Sequence, residues 1–319
     1  MTRPRASART RRAGWYVGCA LAALAVDLPA QIFKAGTDVV SLNITVTEGD
    51  KLVPGLEQSR FAVYEDGVQQ DVSYFAAGEV PLDLAILLDT SASMTSKIAT
   101  AQQAAIGFAS TLREGDRLTV VDIKDATQIL APLSSDIEAA KRAILSTMPR
   151  GGTALYNGLY LTLKELTKQR RSNGDVRRQA IVVLSDGDDT ASLMAFDDVM
   201  ALAKESGISV YTIMLRSKWG VARTSSNARY FSQSEFGMKS LAQETGARAF
   251  FPLDITELAG VYTLIAEELA SQYSLGYMSK NPKRDGAYRR VIVRVSDRPG
   301  MQTRTRSGYL SARAERAVR

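Results

Sequence analysis

Residues 82–94, Leu-Asp-Leu-Ala-Ile-Leu-Leu-Asp-Thr-Ser-Ala-Ser-Met, constrain the fold more than any other stretch of the chain. A nearly continuous apolar run stops at Asp89, and two hydroxyls, Ser91 and Ser93, follow at alternate positions. Unbroken apolar character over this length is the pattern of a strand covered on both faces, as in the centre of a parallel sheet. Oxygens at the carboxyl end of such a strand face the crevice where open α/β sheets bind ligands.

The rest of the chain supplies the partners that such a strand requires. Ile98, Ala101, Ala105, Phe108 and Leu112 recur at helical spacing, and residues 118–123 form a second apolar strand with 126–131 placed to pair beside it. A helix is expected over 135–148, capped by Ser134 or Ser135, and another over 154–169. The basic stretch 168–178 reads as a solvated connection. Residues 180–185 form a buried strand ending in Asp186-Gly187-Asp188-Asp189. A helix over 196–205, a strand over 208–215 and a helix near Lys239 follow, interrupted by a polar loop, 216–234, that carries Trp219, Tyr230 and Phe231. A strand at 248–251 leads to a helix capped by Asp254, with Leu258, Val261, Ile265 and Leu269 on one face. This alternation predicts an α/β fold, a doubly wound, mostly parallel sheet with helices on both faces, over residues 81–271.

The flanks are patterned differently. Val40, Leu42, Ile44 and Val46 alternate with polar residues, and Phe61–Tyr64 runs through Glu65-Asp66-Gly67 into another extended segment, the signature of a hairpin. After the α/β stretch, Tyr273, Leu275 and Tyr277 alternate, as do Val291, Val293 and Val295. Segments 31–80 and 272–310 are therefore expected to pack together as one small β domain into which the α/β unit is inserted. A disordered tail is expected over 311–319.

The first thirty residues read as a leader. Arg3, Arg5, Arg9, Arg11 and Arg12 precede an apolar stretch from Trp15 to Val26, too short to span a bilayer, followed by Asp27-Leu28-Pro29-Ala30. Cleavage is placed after Ala30, with Ala23 to Ala25 as a second candidate, so export to the periplasm or medium is expected. Arg11-Arg12 hints at twin-arginine export without support from the residues that follow, and a lipoprotein reading through Cys19 leaves most of the apolar stretch on the wrong side of the cysteine. Removing five arginines and one aspartate lowers the formal charge from +6 to +2, so the basic balance belongs to the leader and does not argue for nucleic acid. The mature chain would have no cysteine, no disulfide and no integral membrane span.

Absences narrow the chemistry. The chain has no histidine, which excludes Ser-His-Asp and Cys-His catalysis and histidine-ligated zinc or haem. Neither a Gly-x-x-x-x-Gly-Lys phosphate loop nor a Gly-x-Gly-x-x-Gly turn occurs. The places left for chemistry are the carboxyl end of the 82–89 strand, Gly151-Gly152-Thr153 before a helix, and Asp186 at the end of the next buried strand. Asp89, Ser91, Ser93, Thr153 and Asp186 offer oxygen and no nitrogen or sulfur, a donor set for a hard cation: Mg²⁺, or Mn²⁺ or Ca²⁺. Singly, each has a plainer reading as a helix cap or a strand ending; together they form a constellation.

That constellation resembles the von Willebrand factor type A domain and its metal-ion-dependent adhesion site, in which Asp-x-Ser-x-Ser, here Asp89-Thr90-Ser91-Ala92-Ser93, is followed by a threonine and an aspartate. The resemblance runs from about residue 80 to 270. The flanks resemble a bacterial secreted, VWFA-related subgroup through Phe61 to Gly67, Asp285 to Arg290 and Arg306 to Tyr309. It implies that Ser91, Ser93 and Thr153 ligate the metal while Asp89 and Asp186 hold its waters. Neutral direct ligands leave the cation electron-poor, so a protein partner's Asp or Glu completes the octahedron. The function implied is extracytoplasmic adhesion or protein binding rather than catalysis. The alternative is a metal-dependent phosphoryl-transfer hydrolase with Asp89 as nucleophile; the haloacid dehalogenase pattern, however, wants a second aspartate where this chain has Ser91. Asp188 and Asp189 lie beside the site and read either as supports for its ligands or as merely solvated, the second reading being preferred.

Overall fold

The computed structural model describes residues 39–312 except 79, 174–175, 187, 216–232 and 297–299. The leader, the aromatics Trp219, Tyr230 and Phe231, and most of the tail lie outside the described residues. In chain order the strands of the first flank are β1 (Val39–Glu48), β2 (Lys51–Leu52), β3 (Phe61–Glu65), β4 (Val68–Gln70) and β5 (Val72–Ala77). The α/β part follows as β6 (Leu82–Asp89), α1 (Ile98–Ala109), β7 (Arg117–Ile123), β8 (Gln128–Ser134), α2 (Ile137–Leu145), α3 (Leu155–Asn173) and β9 (Arg178–Ser185). It continues through α4 (Phe196–Ser206), β10 (Ser209–Met214), α5 (Gln233–Glu244), β11 (Ala249–Phe250) and α6 (Leu258–Ser271). The chain closes with β12 (Tyr273–Met278), β13 (Tyr288–Val295), β14 (Met301–Arg304) and β15 (Gly308–Leu310).

All eight residues of β6 are buried, which is why its sequence shows no polar alternation. Its side chains nonetheless divide by parity. Leu84, Ile86 and Leu88 join a core with Ala105 and Phe108 of α1, Ile144 of α2 and Ile265 of α6. Ala85 and Leu87 join a second core with Leu159 and Leu163 of α3, Val199 of α4 and Leu241 of α5. The period of two across a strand thus sends alternate residues to helices on opposite faces, giving the doubly wound sheet. Its order is β11-β10-β9-β6-β7-β8, parallel throughout except for β8, which runs antiparallel to β7.

The chain leaves β6 toward β7 and β8, then returns to add β9, β10 and β11 on the other side. The reversal opens a crevice beyond the carboxyl ends of β6 and β9, the place where this architecture exposes loops from both halves to one ligand.

The flanking strands form two further sheets, β14-β1-β12-β5 with β2 at the edge, and β15-β13-β3-β4. They share a core of Val40, Leu42, Ile44, Phe61, Val63, Tyr273, Leu275, Tyr277, Val291 and Val293. β1 pairs with β12 through Val39 to Ile44 and with β14 through Thr45 to Glu48. In the β3–β4 hairpin, Asp66 and Gly67 take positive φ of 46° and 85°, the two-residue turn that matches strand twist.

Three local expectations are corrected. The basic stretch after Gln169 is not loop: α3 runs on to Asn173. Lys, Gln and Arg are good helix formers, so a polar turn continues once the apolar face has nucleated it. The cap of α2 is Asp136 rather than Ser134 or Ser135; its side chain accepts from Ala139 N at 2.9 Å. Finally, α1 ends at Ala109, three residues before Leu112.

Candidate metal centre

Four loops meet at the crevice. The first leaves β6: Asp89 is fully buried, and its Oδ1 accepts from Ser91 N at 2.9 Å, turning the chain so that the Ser91 and Ser93 hydroxyls lie 2.9 Å apart. The second precedes α3 and is clamped to the first by Arg150 N donating to Thr90 O (2.8 Å) and Ala92 N to Gly151 O (3.0 Å). These two backbone bonds set Thr153 beside Asp89, with its Oγ1 3.5 Å from Asp89 Oδ2.

The third loop leaves β9. The register that pairs Leu88 with Leu184 brings Ser185 next to Asp89, and the Ser185 hydroxyl donates to Asp89 Oδ2 at 2.6 Å. Asp186 follows, with Oδ1 accepting from Ser93 Oγ at 2.6 Å. Further along, Thr190 and Ala191 bind Thr153 through Thr190 N and Ala191 N on its carbonyl (2.9 and 3.0 Å), and Thr190 Oγ1 accepts from Thr153 N at 2.9 Å. The fourth loop follows β7: there Asp125 accepts from Gly152 N, while Asp122, near the end of β7 itself, accepts from the Thr90 hydroxyl.

The structure therefore brings Asp89, Ser91, Ser93, Thr153 and Asp186 into one hydrogen-bonded cluster, with Thr153 at the longest contact. Among the described residues no group of three or more His, Cys, Asp or Glu is placed to hold a metal ion, so any cation here depends on hydroxyls as well as carboxylates. Ser93 is exposed while Asp89, Ser91 and Thr153 are buried, so the cluster has a dry floor and one open side. Burial pushes the Asp89 carboxyl above the ordinary aspartate range; hydrogen bonds from Ser185 and Ser91 oppose the rise, and the Asp186 charge adds to it. Two carboxylates around shared hydroxyls, with so little solvent, are the electrostatics that a divalent cation relieves. Positive charge already reaches the cluster from within the chain: the Lys97 ammonium pairs with Asp186 Oδ2. The donor set fits a hard cation.

Four contributors were not legible as site residues: Ser185, Thr190, Asp125 and Lys97. A strand-end serine, a loop threonine and a lysine at a helix start carry no motif, and only strand register and loop packing assign them. Asp188 and Asp189 are also corrected, since neither is merely solvated. Asp188 accepts from the Ser234 hydroxyl, while Asp189 Oδ1 accepts from Ser192 Oγ at 2.7 Å and from Tyr156 N in the first turn of α3 at 3.4 Å. Both Asp89 oxygens accept hydrogen bonds inside the protein, Oδ1 from Ser91 N and Oδ2 from Ser185 Oγ.

Comparison with known proteins identifies the domain that carries these loops. Residues 83–263 match the von Willebrand factor type A domain. A UPF0353 protein of Mycolicibacterium paratuberculosis is 24% identical over 63% of this chain and 64% of its own length. A UPF0353 protein of Mycobacterium avium is 25% identical over 66% of this chain and 67% of its own length. The chain thus spans somewhat less than two thirds of the first of these relatives. Among solved structures, a von Willebrand factor type A protein from Catenulispora acidiphila superposes with a TM-score of 0.50 at 12% identity, covering 88% of this chain and 76% of that one, a likeness of fold.

Proposed function

This chain belongs to the von Willebrand factor type A domain family, and on that premise we propose that its crevice binds one hard divalent cation and, through it, a protein partner. Mg²⁺ is the proposed resident ion, with Mn²⁺ or Ca²⁺ as substitutes. The observation that carries the reading is the convergence of five oxygen-bearing side chains from three loops, Asp89, Ser91, Ser93, Thr153 and Asp186, at the switch point of the sheet.

Ser91, Ser93 and Thr153 would bind the ion directly, and Asp89 and Asp186 would hold its waters. A bound ion with neutral direct ligands supplies an electron-poor centre that favours an incoming carboxylate. The partner is therefore a protein presenting Asp or Glu. Engagement of both Asp89 oxygens supports binding over nucleophilic chemistry.

The place of action proposed is outside the cytoplasm, periplasmic or secreted. The support is the basic, apolar and small-residue order of residues 1–30. Among the described residues no helix is long and apolar enough to cross a membrane.

Thermal unfolding in EDTA and in Mg²⁺ or Mn²⁺ tests the cation. A ligand at a hundred times its Kd stabilises the folded state by about 2.7 kcal/mol, so the melting temperature should rise by several degrees. Asp89→Ala and Thr153→Ala should abolish the rise; an undiminished response in both overturns the assignment. Partner capture that requires metal, and is lost both in EDTA and in Thr153→Ala, tests the second half.

A further inference from the structure

We propose that Lys97 is a tethered competitor for the cation site: its ammonium holds Asp186 when no metal is bound and must withdraw for a divalent ion to load. The proposal rests on the cation-site reading above and concerns how that site is controlled.

Lys97 sits immediately before α1, and its backbone is fixed. Its N–H donates to Met94 O at 2.8 Å, and its carbonyl accepts from Ala101 N at 3.0 Å. Only the side chain is free to move, and it reaches into the oxygen cluster to pair with Asp186 Oδ2. The other oxygen of Asp186 accepts from Ser93 at 2.6 Å, so the carboxylate is engaged on both sides. The Asp186 side chain is 1% exposed, whereas that of Lys97 is 31% exposed. The carboxylate is therefore held in place while the lysine has an open route to water.

The ammonium and a metal-bound water are both donors to the same carboxylate, but the ammonium brings a positive charge that repels the ion. With Asp89 and Asp186 ionised, the cluster carries two negative charges, and Lys97 leaves one. A divalent ion entering with Lys97 in place therefore meets about half the net attraction. Withdrawal of Lys97 restores both charges without moving any proposed direct ligand. The same contact also has a purely structural reading, as a tie between the start of α1 and the end of β9. The two roles differ in what removal of the charge does to ion affinity.

Titration calorimetry of Mn²⁺ into the chelator-treated full chain separates them, using wild type, Lys97→Met, Lys97→Gln and Lys97→Arg, with urea unfolding of each in EDTA. Tethered competition predicts that the Met and Gln variants bind Mn²⁺ at least about tenfold more tightly while the Arg variant does not. Unchanged or weakened affinity in the Met and Gln variants overturns the proposal, and a loss of stability in EDTA without a gain in affinity assigns Lys97 the structural tie alone. Absence of Mn²⁺ binding in wild type and all variants overturns the cation-site reading itself, and the Lys97 proposal with it.

Discussion

Thr153 and Thr190 bind each other reciprocally: Thr153 N donates to Thr190 Oγ1 at 2.9 Å, and Thr190 N donates to Thr153 O at 2.9 Å. The loop after β9 thereby fixes the backbone of a proposed metal ligand on a different loop. Thr190→Val keeps the shape and deletes the acceptor for Thr153 N. Urea unfolding should show a loss of about 1 kcal/mol. The Mn²⁺-induced rise in melting temperature should shrink while remaining above that of Thr153→Ala, because the ligand hydroxyl survives but loses its support.

Gly151 is required by its surroundings. It takes φ of +69°, and a Cβ there would run into the Asp125 carboxylate that binds Gly152 N. Gly151→Ala combines a left-handed backbone with that collision, so a destabilisation of roughly 1–2 kcal/mol is expected. Because Gly151 O also accepts from Ala92 N, which ties the two hydroxyl-bearing loops together, divalent-ion affinity measured by calorimetry should fall as well.

At the opposite end of β6, Asp83 accepts from Arg117 at 2.8 and 2.7 Å and from Arg177 at 2.6 Å. Burial alone would raise its carboxyl, but the two guanidiniums outweigh burial and hold it below the ordinary aspartate range. A lowered folded-state value means that the folded state favours the ionised form. Its stabilisation is therefore complete above the unfolded value of about 3.9 and is lost as pH falls through the lower folded value. Asp83→Asn should cost roughly 3 kcal/mol at neutral pH by removing the buried carboxylate that both guanidiniums share. Urea midpoints followed from pH 6 downward should fall less steeply in the variant than in wild type.

A buried polar knot joins α6 to the flanking strands. Glu268 accepts from Tyr211 at 2.6 Å and Thr45 at 3.3 Å through Oε1, and from Arg304 at 2.6 Å through Oε2, while Gln272 donates to the Tyr211 oxygen at 3.0 Å. Tyr211→Phe removes one donor and one acceptor from a network in which Tyr211, Glu268 and Thr45 are fully buried. About 1–2 kcal/mol of stability should be lost in urea, with Mn²⁺ affinity unchanged, since no Tyr211 atom reaches the crevice cluster through these bonds.

Much of this architecture is legible in residue patterns because burial dictates them. The unbroken apolar run of 82–88 announces a strand covered on both faces, and the alternation at Val40, Leu42, Ile44 and Val46 announces one covered on a single face. Polarity misleads at residues 170–173, where a run of polar residue types resembles a loop although the backbone is helical. Of the candidate metal centre, Asp89, Ser91 and Ser93 are readable as a spaced motif, Thr153 by its place before a predicted helix and Asp186 by its place after a predicted strand. Ser185, Thr190 and Lys97 are not, because their roles arise from the β6–β9 register and from side-chain reach across loops. Local pattern carries information about burial; it carries none about which distant loop will lie opposite.

The two-sided pairing of β1 has a consequence in time. Residues 39–48 leave the ribosome among the first of the described chain, yet their ladders are completed only by Tyr273 to Met278 and Met301 to Arg304, among the last. Until then β1 has only the two-residue β2 beside its far end, and Val39 to Ile44 remain an alternating apolar segment without their β12 partner, the kind that recruits other chains. Closing a loop that holds the whole α/β unit is also the slowest class of contact to form. The sheets of the flanks are therefore expected to close after the α/β unit that their two halves enclose in sequence.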